Sequence, residues 1–193
     1  LFLSWFNRGF LVIRPINLAS PAHILEKIIT YEAVHEIDSW DDLRRRLQPE
    51  DRRCFAFFHP SMPDEPLIFV QVALTDSISD SIQTILSDDR EAISADTATT
   101  ATFYSISNCQ QGLAGISFGN SLIKTVVQTL SRELPGLSVF VTLSPIPGFI
   151  GWCRELNIRT DSLQNGDLRR LVAYYLLNGK RSDGRPIDPV ARF

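Results

Sequence analysis

The apolar positions of this chain change period several times, and each change predicts an element. The opening, LFLSWFNRGFLVI, is almost continuously apolar apart from Asn7 and Arg8. It predicts a helix or buried segment over residues 1–14, with Trp5, Phe6 and Phe10 as packing residues. Ser20 and Pro21 read as a helix start, serine at the N-cap and proline in the first helical position. Ile24, Leu25, Ile28 and Ile29 would face inward on that helix, which ends near Ala33. A second helix opens at Ser39, whose spacing to Asp42 is that of a capping box with Asp replacing Glu. Two strands follow, over 53–59 and 67–74. The segment between them, PSMPDEP, has prolines, an acidic pair and no helical period, so it reads as a hairpin loop. The second strand is apolar on both faces apart from Gln71, the pattern of a central strand.

Residues 75–89 begin with hydroxyl and carboxylate caps and continue with a stripe of Ile78, Ile82, Ile85 and Leu86, which predicts a helix. Residues 88–99 are polar and read as a surface loop. The stretch 102–107 is β-branched, aromatic and hydroxylated, as a strand requires. Glycines follow at 112, 115 and 119. From about Ser117 the apolar residues fall at helical spacing, with Leu122, Val126 and Leu130 four apart. A strand over 137–143, a rigid SPIPG turn and a short helix over 149–156 bearing Trp152 come next. Residues 157–166 read as a polar connector, residues 168–177 as a helix, and the tail as irregular. Helices first, then strands interleaved with helices, argue a mixed α/β or α+β domain.

With 193 residues and 44% hydrophobic content, the chain suits one sizeable domain, or one domain with a helical appendage. A net charge of −3 provides no basic footprint and argues against a nucleic-acid partner. The opening segment has the pattern neither of a signal peptide nor of a membrane span. Cys54, Cys109 and Cys153 lack metal-ligand spacing, so no metal site is expected and each reads as a small buried thiol. The absence of an initial Met reads as a fragment of a longer chain.

Candidate chemistry concentrates at two places. A strand followed by a glycine-bearing loop and a helix presents backbone N–H groups and the positive end of a helix dipole, a site for phosphate. A plain βα connection has the same pattern. The spacing is neither a P-loop nor a clean GxGxxG. It is closer to the pyrophosphate loop of GNAT-type acyltransferases, with Ser117 where a middle glycine is common. Ser105 and Ser107 lie on the strand that leads into this loop, where Ser105 would meet the acyl end of a bound thioester. The second place is the hydroxyl-rich turn from Thr75, at the C-terminal end of a central strand, where sites in α/β folds cluster; an over-capped helix start is the plainer alternative. His23 and His35 fall in or near helices and read as solvated or packed; His59 ends a strand. Arg44, Arg45 and Arg46 read as a solvated helix face in preference to a phosphate clamp.

Longer strings carry a family resemblance. DRRCFAFFHPSMPDEPLIFVQVALTDSISDSIQTIL, TATFYSISNCQQGLAGISFGNSLIKTVVQTLSRELP and FVTLSPIPGF resemble the malonyl-CoA decarboxylase family. The opening SWFNRGFLVIRPINLASPAHILEKIITYEAVHEIDSWDDLRRRL is similar to the family's junction between a helical N-terminal domain and the catalytic domain. The resemblance implies that residues 1–50 join the two domains and that 51–193 are part of a GNAT-like, acyl-CoA-binding catalytic domain, incomplete at its C-terminus. It implies conversion of malonyl-CoA to acetyl-CoA and carbon dioxide through an enolate, without metal or organic cofactor. It places a catalytic serine on Ser105, and malonyl-CoA contacts on Ser77, Ile78, Ser79, Asp80, Ser81, Ile82 and Gln83. The CoA pyrophosphate would rest on Gln110, Gln111, Gly112, Gly115 and Gly119. The family's proton-donating histidine follows a string like DPVARF, so it would lie just past Phe193, and residues 1–193 alone are expected to be inactive or nearly so. The family also has a longer helical stretch before that string than 157–166 provides. Expected partners are malonyl-CoA and acetyl-CoA, with no nucleic acid and no membrane, in a homo-oligomer. The expected setting is cytoplasmic, or the mitochondrial matrix or peroxisome in a eukaryote. Two other readings share the loop: a GNAT-type acyltransferase acting on an amine, and a non-catalytic acyl-CoA-binding module.

Overall fold

The protein's computed structural model describes residues 8–110, 112, 118–144, 146, 149–159 and 172. The chain divides into two units, Leu1–Ser144 and Pro145–Phe193. In the first, five strands form one sheet in sequence order: β1 (Val12–Pro15), β2 (Arg52–His59), β3 (Met62–Thr75), β4 (Thr100–Asn108) and β5 (Val139–Thr142). Neighbours pair antiparallel except β4 and β5, which are parallel. The helices are α1 (Ala22–Tyr31), α2 (Trp40–Leu47), α3 (Ile82–Leu86), α4 (Gly119–Glu133) and, in the second unit, α5 (Phe149–Glu155). This is the mixed α/β arrangement expected, with α4 following β4 and preceding its parallel neighbour β5.

β3 is central, and residues 66–74 are buried on both faces. On one face Phe55, Phe57, Val70, Val72 and Phe103 pack against Leu122, Val126 and Leu130 of α4. On the other, Cys54, Ala56, Phe58 and Phe69 meet Ile24, Leu25 and Ile28 of α1 and Leu43 and Leu47 of α2. The apolar stripes of the sequence therefore cover two faces of one sheet.

Several elements depart from expectation. The described part of 1–14 is a single 3-10 turn, Arg8–Phe10, followed by β1 at the sheet edge; Trp5 and Phe6 lie outside the described residues. A short continuous apolar run fits a strand as well as a helix, and here pairing of Ile13 with Phe57 decides it. Pro15 is tolerated because the edge needs no donor. Phe10 is 57% exposed and is not a packing residue within the described structure. Ser20 does not cap α1. Pro21 occupies the N-cap position, and Ser20 Oγ accepts from Asn17 N instead (3.1 Å). Ser39 does cap α2, accepting from Asp42 N (3.1 Å). The hairpin loop is shorter than the proline run implies. β3 starts at Met62, and register shifts around Phe58 absorb Pro63 and Pro66.

α3 is shorter than the helix expected over 75–89, and Ile78 is 62% exposed, outside the stripe. The loop at 88–99 is not wholly superficial. Ala95 and Ala98 are buried, and Arg90 forms an ion pair with buried Asp51. Arg46 is not part of a solvated face. Its guanidinium is buried, bridging Asp42 (2.7 and 3.0 Å) and the carbonyls of His35 (2.6 Å) and Glu36 (2.7 Å). Arg44 and Arg45 remain at the surface in ion pairs with Asp41, Asp42 and Asp88.

In the second unit, α5 buries Phe149 and Cys153, and Trp152 stacks on Phe149 at 6.1 Å. The helix expected over 168–177 lies outside the described residues except for Val172. No helix among the described residues is long and apolar enough to cross a membrane.

Candidate active site around Ser105

Ser105 owes its direction to a β-bulge. Gln71 pairs with Ser105 and Val72 with Phe103, which leaves Tyr104 as the extra residue in β4. In an uninterrupted strand residues 103 and 105 would share a face. The bulge breaks the alternation. Phe103 and Ile106 stay on the α4 side, while Tyr104, Ser105 and Ser107 turn toward the face covered by α1. Gln71 lies on the same face, so the polar position of the central strand and the strand hydroxyls meet.

They meet on Glu32, a residue that the sequence reading missed. Glu32 is the C-cap of α1, and its carboxylate folds over the sheet. Ser105 Oγ donates to it, 2.7 Å from Oε1 and 2.8 Å from Oε2. Ser107 Oγ donates to Oε1 (3.2 Å) and Gln71 Nε2 to Oε2 (2.9 Å). The backbone N–H groups of Val34 and His35 also donate to Oε1, at 2.9 and 3.0 Å. Tyr104 Oη donates to Gln71 Oε1 (2.8 Å), which turns the amide nitrogen toward Glu32. Ala33 N donates to Ser107 Oγ (3.1 Å), binding the segment after α1 to β4. One signal was available: an acidic side chain at a helix C-terminus opposes the dipole and calls for another partner.

The surrounding groups are held neutral. Burial lowers the pKa of His35 against the opposing pull of Glu32, and its ring lies 6.4 Å from that of Tyr104. Burial raises the Tyr104 phenol and the Cys54 and Cys109 thiols, so neither cysteine supplies a thiolate near neutrality. Thr102 Oγ1, buried in the same strand, has no hydrogen-bond partner among the described residues.

The edge of β4 matters as much as its face. β5 pairs only as far as Phe103 with Thr142, and Leu143 N then donates to Phe103 O (2.9 Å). From Tyr104 onward no described strand lies on that side. Among the described residues, then, the Ser105 backbone has a strand partner on the β3 side alone.

The other candidate residues divide between the two ends of β4. Gln110 Nε2 donates to Glu65 Oε2 (3.3 Å), and Glu65 in turn pairs with Lys27. Gly119 opens α4. A Cβ there would meet Ile106 and Ile68 at 3.7 and 3.8 Å, ordinary contact, so space does not demand glycine. Gly112 has no neighbour within 4 Å of a built Cβ. Gln111 and Gly115 lie outside the described residues. Residues 77–83 follow β3 at the opposite end, because Thr75 pairs with Thr100; that is roughly 15 Å along β4 from Ser105. Thr75 Oγ1 donates to Ser77 O (2.7 Å), and Ser81 caps α3 through Thr84 N (3.4 Å) and donates to Gln83 Oε1 (3.1 Å). Ser77, Ile78, Asp80 and Gln83 are exposed and Ser79 is half-buried. Ile82 packs on the cluster of Ala73, Ile85 and Tyr104, which links this segment to the Ser105 face. Among the described residues no group of three His, Cys, Asp or Glu side chains forms a metal cluster.

Comparison with known proteins is decisive at the family level. The family model for the malonyl-CoA decarboxylase C-terminal domain matches residues 9–165. The chain belongs to the malonyl-CoA decarboxylase family. It is similar to the mitochondrial malonyl-CoA decarboxylase of Anser anser anser, 50% identical over 151 residues, 77% of this chain and 30% of that protein. It is also similar to the mitochondrial enzyme of Mus musculus, 37% identical over 242 residues, 98% of this chain and 48% of that protein. Among solved structures, malonyl-CoA decarboxylase from Agrobacterium vitis is 54% identical with a TM-score of 0.85, covering 100% of this chain and 54% of that chain. The counterpart from Rhodopseudomonas palustris is 52% identical with a TM-score of 0.84, covering 100% and 53%. The chain thus spans about a third to a half of the curated relatives it matches. Of the strings singled out in the sequence, the three at 51–86, 100–135 and 140–149, FYSIS among them, fall within the matched residues; the opening string begins before them and DPVARF lies after them.

Proposed function

We propose that this chain is part of the catalytic domain of a malonyl-CoA decarboxylase, which converts malonyl-CoA to acetyl-CoA and carbon dioxide. The observation that carries the reading is Ser105 itself. The serine of the FYSIS string is turned by a bulge onto the α1 face of β4 and held on a carboxylate, beyond the last described pairing of β4 with β5. When the carboxylate of malonyl-CoA leaves, its bonding pair passes to C2 and delocalises onto the thioester oxygen as an enolate. The site must then offer donors to that oxygen and deliver a proton to C2. In this reading the acyl group lies along β4 with Ser105 beside it. The pyrophosphate rests on the loop of Gln110, Gln111, Gly112, Gly115 and Gly119. The segment of Ser77, Ile78, Ser79, Asp80, Ser81, Ile82 and Gln83 closes over the malonyl end. The proton comes from a histidine that follows Phe193. Residues 1–50 join this domain to a helical one, no metal or organic cofactor takes part, and the working form is a homo-oligomer in the cytoplasm or an organelle matrix.

The test is carbon dioxide release from malonyl-CoA by residues 1–193 and by the protein extended past Phe193 in its native reading frame. Turnover is expected from the extended protein alone. Ser105→Ala in that protein should lower kcat by about 100-fold or more while malonyl-CoA still binds. Turnover by 1–193 would overturn the placement of the proton donor, and unchanged turnover in the Ser105 variant would remove Ser105 from the site. Binding without turnover in both proteins would indicate a binding module. Amine-dependent consumption of acetyl-CoA would indicate an acyltransferase.

A further inference from the structure

We infer that Glu32 is the positioning residue for Ser105, acting in the decarboxylation proposed above and resting on that reading. The carboxylate collects five donor groups: Ser105, Ser107, Gln71 and the N–H groups of Val34 and His35. The two backbone donors already tie it to its own segment and would satisfy a purely structural C-cap. The three from the sheet have no such need. Gln71, Ser105 and Ser107 are all buried. Apolar side chains of similar shape would cover the sheet there without desolvating an acid. What the arrangement does achieve is orientation. A hydroxyl has one proton, and that of Ser105 is committed to Glu32, with both carboxylate oxygens within 2.8 Å. The rotamer is fixed, and Oγ is left with lone pairs that accept from a donor, such as the proton-donating histidine proposed above, and do not themselves bond the enolate oxygen. The Tyr104–Gln71 bond fixes the amide in turn, so the bulge residue and the central strand brace the same carboxylate.

Glu32→Gln is the direct probe, because it places an NH2 donor among groups that all donate. In the protein extended past Phe193, kcat is expected to fall about 10- to 100-fold, the scale of losing a hydrogen bond to a charged group, with KM within about threefold. A residue that acts through Ser105 should add little once Ser105 is gone. The double variant Glu32→Gln/Ser105→Ala is therefore expected to match Ser105→Ala within about twofold. Losses that multiply, or an unchanged kcat in Glu32→Gln, would overturn the inference while leaving the decarboxylase reading intact. If Glu32→Gln does not fold, Gln71→Met removes one donor. It should lower kcat about fivefold at constant KM and be silent in the Ser105→Ala background; an unchanged kcat there counts equally against the inference. Absence of turnover in the unsubstituted extended protein would overturn the decarboxylase reading and the inference together.

Discussion

At the scale of single residues, the difference between Arg46 and its neighbours shows what local sequence withholds. Three arginines in a row look alike, yet one folds back to satisfy two backbone carbonyls from the segment after α1. Glu32 was hidden for a related reason: its sheet partners stand 39, 73 and 75 residues away, and no periodicity joins them. Ser105 was legible because it sits inside a long specific string. His35, in the same segment, makes a testable statement about pH. Burial, helped by the positive charge of Arg46, holds its native pKa below the ordinary 6.5 despite Glu32. Between the native value and 6.5 the unfolded chain binds the extra proton. Stability is then fully present above pH 6.5 and falls as pH drops below it. Urea midpoints at pH 7.5 and 5 should show this fall. His35→Gln should reduce it, and an equal fall in the variant would assign the effect to other groups.

At the scale of elements, strong periodicity and the Ser39 cap were read correctly, and the Ser20 cap and short apolar runs were not. α2 and α4 follow from a capping box and a four-residue stripe. Ser39→Ala should cost about 1 kcal/mol in chemical denaturation, because its hydroxyl holds the Asp42 N–H that the helix leaves orphaned. No change would mean that Asp42 and water satisfy the end unaided. β1 was mistaken for helical or buried chain because four residues contain too few turns to define a period. The hairpin and α3 were misjudged in length because prolines and hydroxyls mark where an element can stop. Where it does stop is decided by pairing, by the register shifts near Phe58 and by the cap at Ser81.

At the scale of the whole molecule, the described strands form one sheet whose centre is buried on both sides, with a polar stripe along the face under α1. The architecture was legible from the order of elements. The candidate site was legible in part: the sequence nominated Ser105, while folding brought Glu32, Gln71 and Tyr104 to it. The end of the sheet far from Gln110 is held by Asp51. Its carbonyl accepts from Leu74 N (2.8 Å), and its buried carboxylate pairs with Arg52 and Arg90. Asp51→Asn leaves two arginines without their counter-charge and should cost about 3 kcal/mol in urea denaturation. Limited proteolysis should then cut first within 88–98. A variant that matches the parent in both assays would show that this anchor is dispensable.

The bulge in β4 also predicts how the strand tolerates changes of length. Tyr104 is a supernumerary residue: everything before it and everything after it already sits in the correct alternation against β3. Position 104 is accordingly where a one-residue deletion leaves every remaining side chain of β4 on its own face. A cut at 102 or at 106 instead forces the residues between the cut and the bulge to exchange apolar for polar surroundings. A deletion scan along the strand would therefore find alternation preserved one residue before the serine, where the cost is the lost packing and hydrogen bond of Tyr104 and not a change of face.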